Sequence, residues 1–228
     1  MLNESAFFWV FITFFIYEIS AYVQRKTKLA VFNPLLLTIL ISVLLIVVTK
    51  TEYKVYENNT KIIGYLLTPA TVCLAVPLYE KLSVLKRNAF AILIGIFSGV
   101  LTSGICVFLV AVIFKLDQSI YASFVPKSVT TAIGVGVAEE FGGISSLTAI
   151  TIIITGIVGN ILAENVCKLF KITHPVAKGI AIGTSSHAGG TAKAIEMGKT
   201  EGAVSGLAIA VAGIMTVIIA PLFNLLYK

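Results

Sequence analysis

Two strings in the chain gather side chains able to bind or move charge. VPKSVTTAIGVGVAEEFGG, residues 125–143, holds Lys127, Ser128, Thr130, Thr131, Glu139 and Glu140. HPVAKGIAIGTSSHAGGTAKAIEM, residues 174–197, holds Thr184, Ser185, Ser186, His187 and Thr191 among glycines. Hydroxyls beside freed backbone N–H groups suit a small carboxylate, above all one that also carries a hydroxyl or keto group. A helix start adds the positive end of its dipole. His187 is open to three roles: proton carrier, substrate ligand or structural donor. Glu139 and Glu140 fit a proton or ion pathway within a membrane, or a solvated loop outside it. Lys127 and Lys178 fit pairing with an anionic substrate or a glutamate, and equally snorkelling to an interface. Asn160 and Glu164, one helical turn apart, share a face and are candidates to line a cavity. The strings do not spell an enzyme: GxSxG, HExxH and the phosphate-loop pattern are absent, and serines adjacent to His187 make a poor nucleophile and base on one helix. No cofactor or metal is expected, because Cys73, Cys106 and Cys167 lie far apart and read as small hydrophobes in helix packing.

The elements that must hold these residues are unusually apolar. Of 228 residues, 57% are hydrophobic and 12% charged, against about a quarter charged in soluble proteins. Segments 5–23, 31–49, 88–114, 145–167 and 202–227 each approach the roughly 20 residues that cross a hydrocarbon core. The chain is therefore expected to be an all-α, multi-pass protein of the cell membrane. Its net charge of +6 belongs to loops and not to nucleic-acid binding. The first segment lacks a basic leader and is interrupted by Glu18, so it reads as a retained helix. Arg25, Lys26 and Lys28, then Lys81, Lys86 and Arg87, mark two cytoplasmic loops. That puts the polar stretch 49–61, read as a loop, outside. Beyond residue 115 the charges are too even to orient the chain.

Three further segments carry helix breakers: 68–82 with Pro69 and Pro77, 125–143, and 174–197. Proline removes a backbone donor and glycine loosens the helix, so each should contain unwound backbone. The breaks are expected at Thr130–Gly136 and Gly183–Gly190, the latter placing Thr184 to His187 at a new helix start. Each broken segment precedes a clean span, giving about eight membrane-embedded segments, three of them broken or re-entrant. Whether they cross or turn back is open. A shift of 47 aligns Val129, Ile133, Gly136, Gly142 and Gly143 with Val176, Ile180, Gly183, Gly189 and Gly190, and a shift of 57 aligns Pro69, Val72 and Ala75 with Pro126, Val129 and Ala132. Both read as an internal repeat of the kind transporters use. Residues 1–60 are read as a two-helix scaffold or dimerisation region and 61–228 as a transport core.

PATVCLAVPLY (69–79), PKSVTTAIGVGVAEEFGGISSLTA (126–149), TGIVGN (155–160) and HPVAKGIAIGTSSHAGGTAKA (174–194) resemble the LrgB family of antiholin-like proteins, which includes the CidB proteins. The likeness covers most of the chain from about residue 62 and extends to the C-terminal half of the plastid glycolate/glycerate translocator. It implies a fold related to sodium–proton antiporters and bile-acid transporters, and passage of glycolate, glycerate, pyruvate or lactate, which His187 or a glutamate is expected to couple to protons. The family's older reading is modulation of permeability and of murein hydrolases. Implied partners are an LrgA-like membrane subunit and a second copy of the chain. The family's functional motifs carry over onto Lys127, Ser128, Thr130 and Thr131, and onto Thr184, Ser185, Ser186, His187 and Thr191. The chain departs from the pattern at Ala132, Ala188 and Lys193, where proline, glycine and arginine are common.

Overall fold

A computed structural model describes residues 5–27, 32–66, 69, 72–73 and 75–227. The regular structure of the described residues is helical, and the chain divides into two compact units, 1–73 and 74–228. Among the described residues four helices are long and apolar enough to cross a membrane: Ala6–Thr27, Ala89–Phe114, Ser145–Leu169 and Lys199–Leu226.

In the first unit, α1 (Ala6–Thr27) packs against α2 (Pro34–Val48) and α3 (Tyr53–Tyr65). Trp9 is fully buried and meets the Tyr56 ring edge-on at 5.3 Å. Two expectations are corrected here. The stretch 49–61 is not a loop, because α3 occupies most of it, docked through Tyr56. The span expected over 31–49 is a helix of 15 residues. Pro34 stands at its first turn, and the Asn33 side chain accepts from the N–H groups of Leu35 and Leu36 at 3.0 and 3.2 Å, which fixes its start.

The second unit contains α4 (Ala75–Glu80), α5 (Leu82–Arg87), α6 (Ala89–Phe114), α7 (Gln118–Phe124), α8 (Thr131–Glu140), α9 (Ser145–Leu169), α10 (Pro175–Met197) and α11 (Lys199–Leu226). The broken segment expected at 68–82 lies partly outside the described residues.

Helix α10 is not one rod. His187 has φ 41° and ψ −137°, and the chain turns back on itself there. Gly190 packs on Ile182, and Ile182 shares a buried cluster with Ala194, although a straight helix would hold that second pair about 18 Å apart. Lys178 and Met197, from the two extremities, line one cavity. The element is a hairpin of two arms, 175–186 and 188–197. Helices α7 and α8 form a second hairpin about the turn 125–130, since Gly143 lies against Ala122 and Ser123, and the Ser123 hydroxyl accepts from Ile144 N–H at 2.7 Å.

Helix α11 measures where each hairpin sits. Gly179 lies against Glu201, and Gly183 and Thr191 both reach Ser205. Further along, Ile133 meets Gly213, the Tyr121 hydroxyl donates to Phe223 O at 2.9 Å, and Gln118 donates to Asn224 at 2.6 Å. The α10 hairpin therefore enters from the Lys199 end and the α7–α8 hairpin from the Asn224 end, with tips facing each other midway. Helix α9 agrees: the His187 ring contacts Ile152 and Gly156, close to its middle.

Candidate functional site

The first tip forms where Pro126 removes a backbone donor. Lys127 N–H reaches back to Phe124 O at 3.1 Å and Val129 N–H to Pro126 O at 3.3 Å, after which α8 begins. The expected break at Thr130–Gly136 is thus corrected to 125–130. Helix α8 runs unbroken through Gly134, whose missing side chain lets it lie on Pro126 O and Ile152. Proline interrupts this helix, and glycine packs it.

The second tip falls inside the expected window but at His187. Thr184, Ser185 and Ser186 close the first arm and do not open a new one, which corrects their expected place at a helix start. The His187 torsions match the first central position of a type II′ turn, which favours glycine. Several bonds hold histidine there. A carbonyl can only accept, so the contact at 2.9 Å makes Nε2 donate to Ile152 O. Thr191 donates to His187 O at 2.8 Å, which leaves Ser205 to donate to Thr191 Oγ1 at 2.6 Å. Asn160 donates to Gly189 O at 2.8 Å. Replacing His187 by alanine loses the ring bond and keeps the backbone strain. Replacing it by glycine loses the bond and relieves the strain, so His187→Gly should exceed His187→Ala in stability by about 1–3 kcal/mol. Thermal unfolding in detergent checks this, and the opposite order would remove the strain argument.

Neighbouring residues at each tip face different spaces. Ser128 and Thr184 line a cavity of about 20 Å³ with Ser103 and Thr216, room for about one water. Ser128 lies 3.1 Å from the Ser103 hydroxyl and accepts from Lys127 Nζ at 3.0 Å. Lys127, Ser185 and Ser186 line a larger cavity of about 450 Å³ with Thr155 and mainly apolar groups. Each tip thus lends neighbouring residues to both spaces. Among the described residues Lys127 forms no ion pair within 4.0 Å.

The other residues singled out from the sequence stand apart from both cavities. Thr130 is half-buried at the start of α8 and makes no side-chain cap. Thr131, Glu139 and Glu140 are exposed, and Glu139 accepts from Ser145 at 2.6 Å. Thr191 and Asn160 brace the α10 tip. Glu164 pairs with Lys168 at 2.8 Å and Lys193 at 3.7 Å. Ser103, Thr155, Thr216 and Ser205 were missed, because a single hydroxyl in a long apolar span reads as bonding its own helix. Among the described residues no three His, Cys, Asp or Glu side chains gather as metal ligands would.

A family model described as the LrgB-like family matches residues 13–226. An antiholin-like protein LrgB of Bacillus cereus (strain B4264) is 34% identical over 220 residues, covering 96% of each chain. One of the same description from Bacillus anthracis (strain CDC 684 / NRRL 3495) matches with the same identity and coverage. No solved structure matches the chain.

Proposed function

The chain belongs to the LrgB-like family, and from that premise we propose that it acts as an antiholin-like protein of the cell membrane, modulating permeability and, through it, murein hydrolases. The observation behind this reading is the description shared by relatives that match nearly end to end. An LrgA-like subunit and a second copy of the chain are its proposed partners.

A second reading, favoured by the geometry, is a secondary carrier of a small monocarboxylate such as pyruvate, lactate, glycolate or glycerate. The observation that carries it is Lys127: a cation without a carboxylate partner among the described residues, at a hairpin tip midway along the bundle, facing a cavity with Ser185 and Ser186. A cation at the centre of a membrane helix costs about 2.5–3.5 kcal/mol on insertion scales. A bound carboxylate would offset that through a charge-assisted hydrogen bond. In this reading the two hairpins are re-entrant elements from opposite faces, as in antiporter-like folds with about eight embedded segments. His187, with Nε2 engaged and Nδ1 left to exchange a proton, or one of the glutamates, couples transport to protons.

Purified protein in liposomes separates the two readings. Uptake of labelled pyruvate and glycolate, with and without a pH gradient, is followed beside release of a trapped dye. Saturable uptake without dye release, lost in Ser185→Ala, supports the carrier. Dye release insensitive to Ser185→Ala and Lys127→Met sinks the carrier and supports altered permeability.

A further inference from the structure

The Lys199 end of the second unit carries a cavity of about 640 Å³ rimmed by Lys168, Lys171, Lys178 and Lys193, with Glu164 and Glu196. Four lysines face two glutamates. Both glutamates are engaged, Glu164 by Lys168 and Lys193, and Glu196 by Lys193 at 3.0 Å. Among the described residues Lys171 and Lys178 form no ion pair. Lys171 adopts φ 54° just beyond the end of α9, and Lys178 comes from the first turn of α10. Folding α10 back is what adds Lys193 from its other extremity to the same rim.

The rim cavity adjoins the one that Lys127 faces: Ile172 and the buried Cys167 line both, so they stand between a basic mouth and a cation deeper in the bundle. The inner space is lined mainly by apolar groups, and Lys127 is its one charged side chain among the described residues. The charge pattern is thus two unneutralised lysines at the surface, an apolar neck, then one unpaired cation.

We propose that the rim of Lys168, Lys171, Lys178 and Lys193 is an access vestibule for a small organic anion, which passes the Cys167–Ile172 neck to reach Lys127. The proposal rests on the carrier reading and names the route to its site. A net positive, partly enclosed mouth raises the local concentration of anions and lowers that of cations. Lys171 and Lys178 supply the attraction, while Lys193, held between two glutamates, orders the rim.

Cys167 reports on this route directly. The full chain with Cys73→Ser and Cys106→Ser keeps Cys167 as its single thiol. In phosphatidylcholine liposomes, its labelling by an anionic and a cationic methanethiosulfonate is compared, each rate normalised to that reagent's reaction with a small thiol in water. The anionic reagent should be favoured by about tenfold, less at 0.5 M salt, and pyruvate should slow it. Lys171→Glu with Lys178→Glu should reverse the preference. Lys86→Glu, outside the rim, should leave it unchanged and controls for general surface charge. Equal normalised rates indifferent to the Lys171 and Lys178 changes would overturn the vestibule, as would no labelling of native protein by reagents that label it once denatured. Loss of the anionic preference in phosphatidylglycerol liposomes would assign the rim to a lipid headgroup and likewise overturn the access role. Uptake measured on the same liposomes keeps the two ideas separate. An anion preference without saturable uptake leaves the vestibule standing and removes the carrier; saturable uptake without an anion preference does the reverse.

Discussion

On the carrier reading, Lys127→Met should abolish saturable carboxylate uptake, weakening apparent affinity by about two to three orders of magnitude, while the protein melts at or above the wild-type temperature. Removing a merely structural lysine would destabilise the fold. Here the ammonium has a hydroxyl partner and no carboxylate among the described residues, so methionine loses one hydrogen bond to Ser128 and is relieved of an embedded charge. A charge taken partly out of water without an ion partner carries a desolvation cost that an apolar chain of similar length does not. Loss of uptake with gained stability is the signature of a group kept for a ligand. Lys127→Arg should retain part of the affinity, because charge persists while its geometry changes. Unchanged uptake in Lys127→Met would remove Lys127 from the site.

Gly189→Ala should lower stability by about 1–3 kcal/mol through overpacking. A Cβ there would stand 2.7 Å from Gly156 Cα, 2.8 Å from its carbonyl carbon and 2.9 Å from its oxygen. These are backbone atoms on the facing helix, so nothing can rotate aside. Small residues of this kind let membrane helices approach backbone to backbone. The control is Gly136→Ala: that glycine is helical and exposed, with nothing within 4 Å of a new Cβ, so alanine should gain about 0.5–1 kcal/mol. Melting in detergent ranks the three proteins as Gly136→Ala, wild type, Gly189→Ala. Wild-type stability for Gly189→Ala would mean that α9 and α10 are not closely pressed together.

The long helices were legible because an apolar run has no other use at that length. The span read at 88–114 is Ala89–Phe114, and that at 145–167 is Ser145–Leu169. The interruptions were harder to place. At 125–130 a missing proline donor outweighs glycine flexibility, and at His187 the turn depends on partners from α9 and α11 that no local pattern encodes. Whether α10 crosses or turns back was open, because a hairpin arm and half a crossing helix have the same composition. The shift of 47 joined unlike places: it pairs the turn at Gly142–Gly143 with Gly189–Gly190, inside the second arm of α10. Among the described residues a hairpin followed by a long helix does occur twice, in 118–169 and 175–226. Orientation was hidden for the same reason. Once α10 folds back, Lys168, Lys171, Lys178, Lys193 and Lys199 lie at one end of the second unit. Lys86 and Arg87 join them, since α6 starts there with Gly95 against Ile180. Lys115 lies at the other end, where Tyr227 reaches Leu116 O at 2.5 Å. The bias toward cytoplasmic lysine and arginine then expects the Lys199 end inside.

On the carrier reading, the mid-bundle position of the Lys127 tip also has an electrical consequence. An anion travelling from the lysine rim to Lys127 traverses about half the membrane field. One charge across 100 mV corresponds to about 2.3 kcal/mol, so half that path changes occupancy by about sevenfold per 100 mV. Setting diffusion potentials across liposomes with potassium and valinomycin should therefore shift the half-saturating carboxylate concentration by that factor, in opposite directions for opposite polarity. A concentration indifferent to voltage would place the bound anion near the surface. An anion bound at mid-depth would have its apparent affinity set jointly by chemistry and by the potential of the membrane around it.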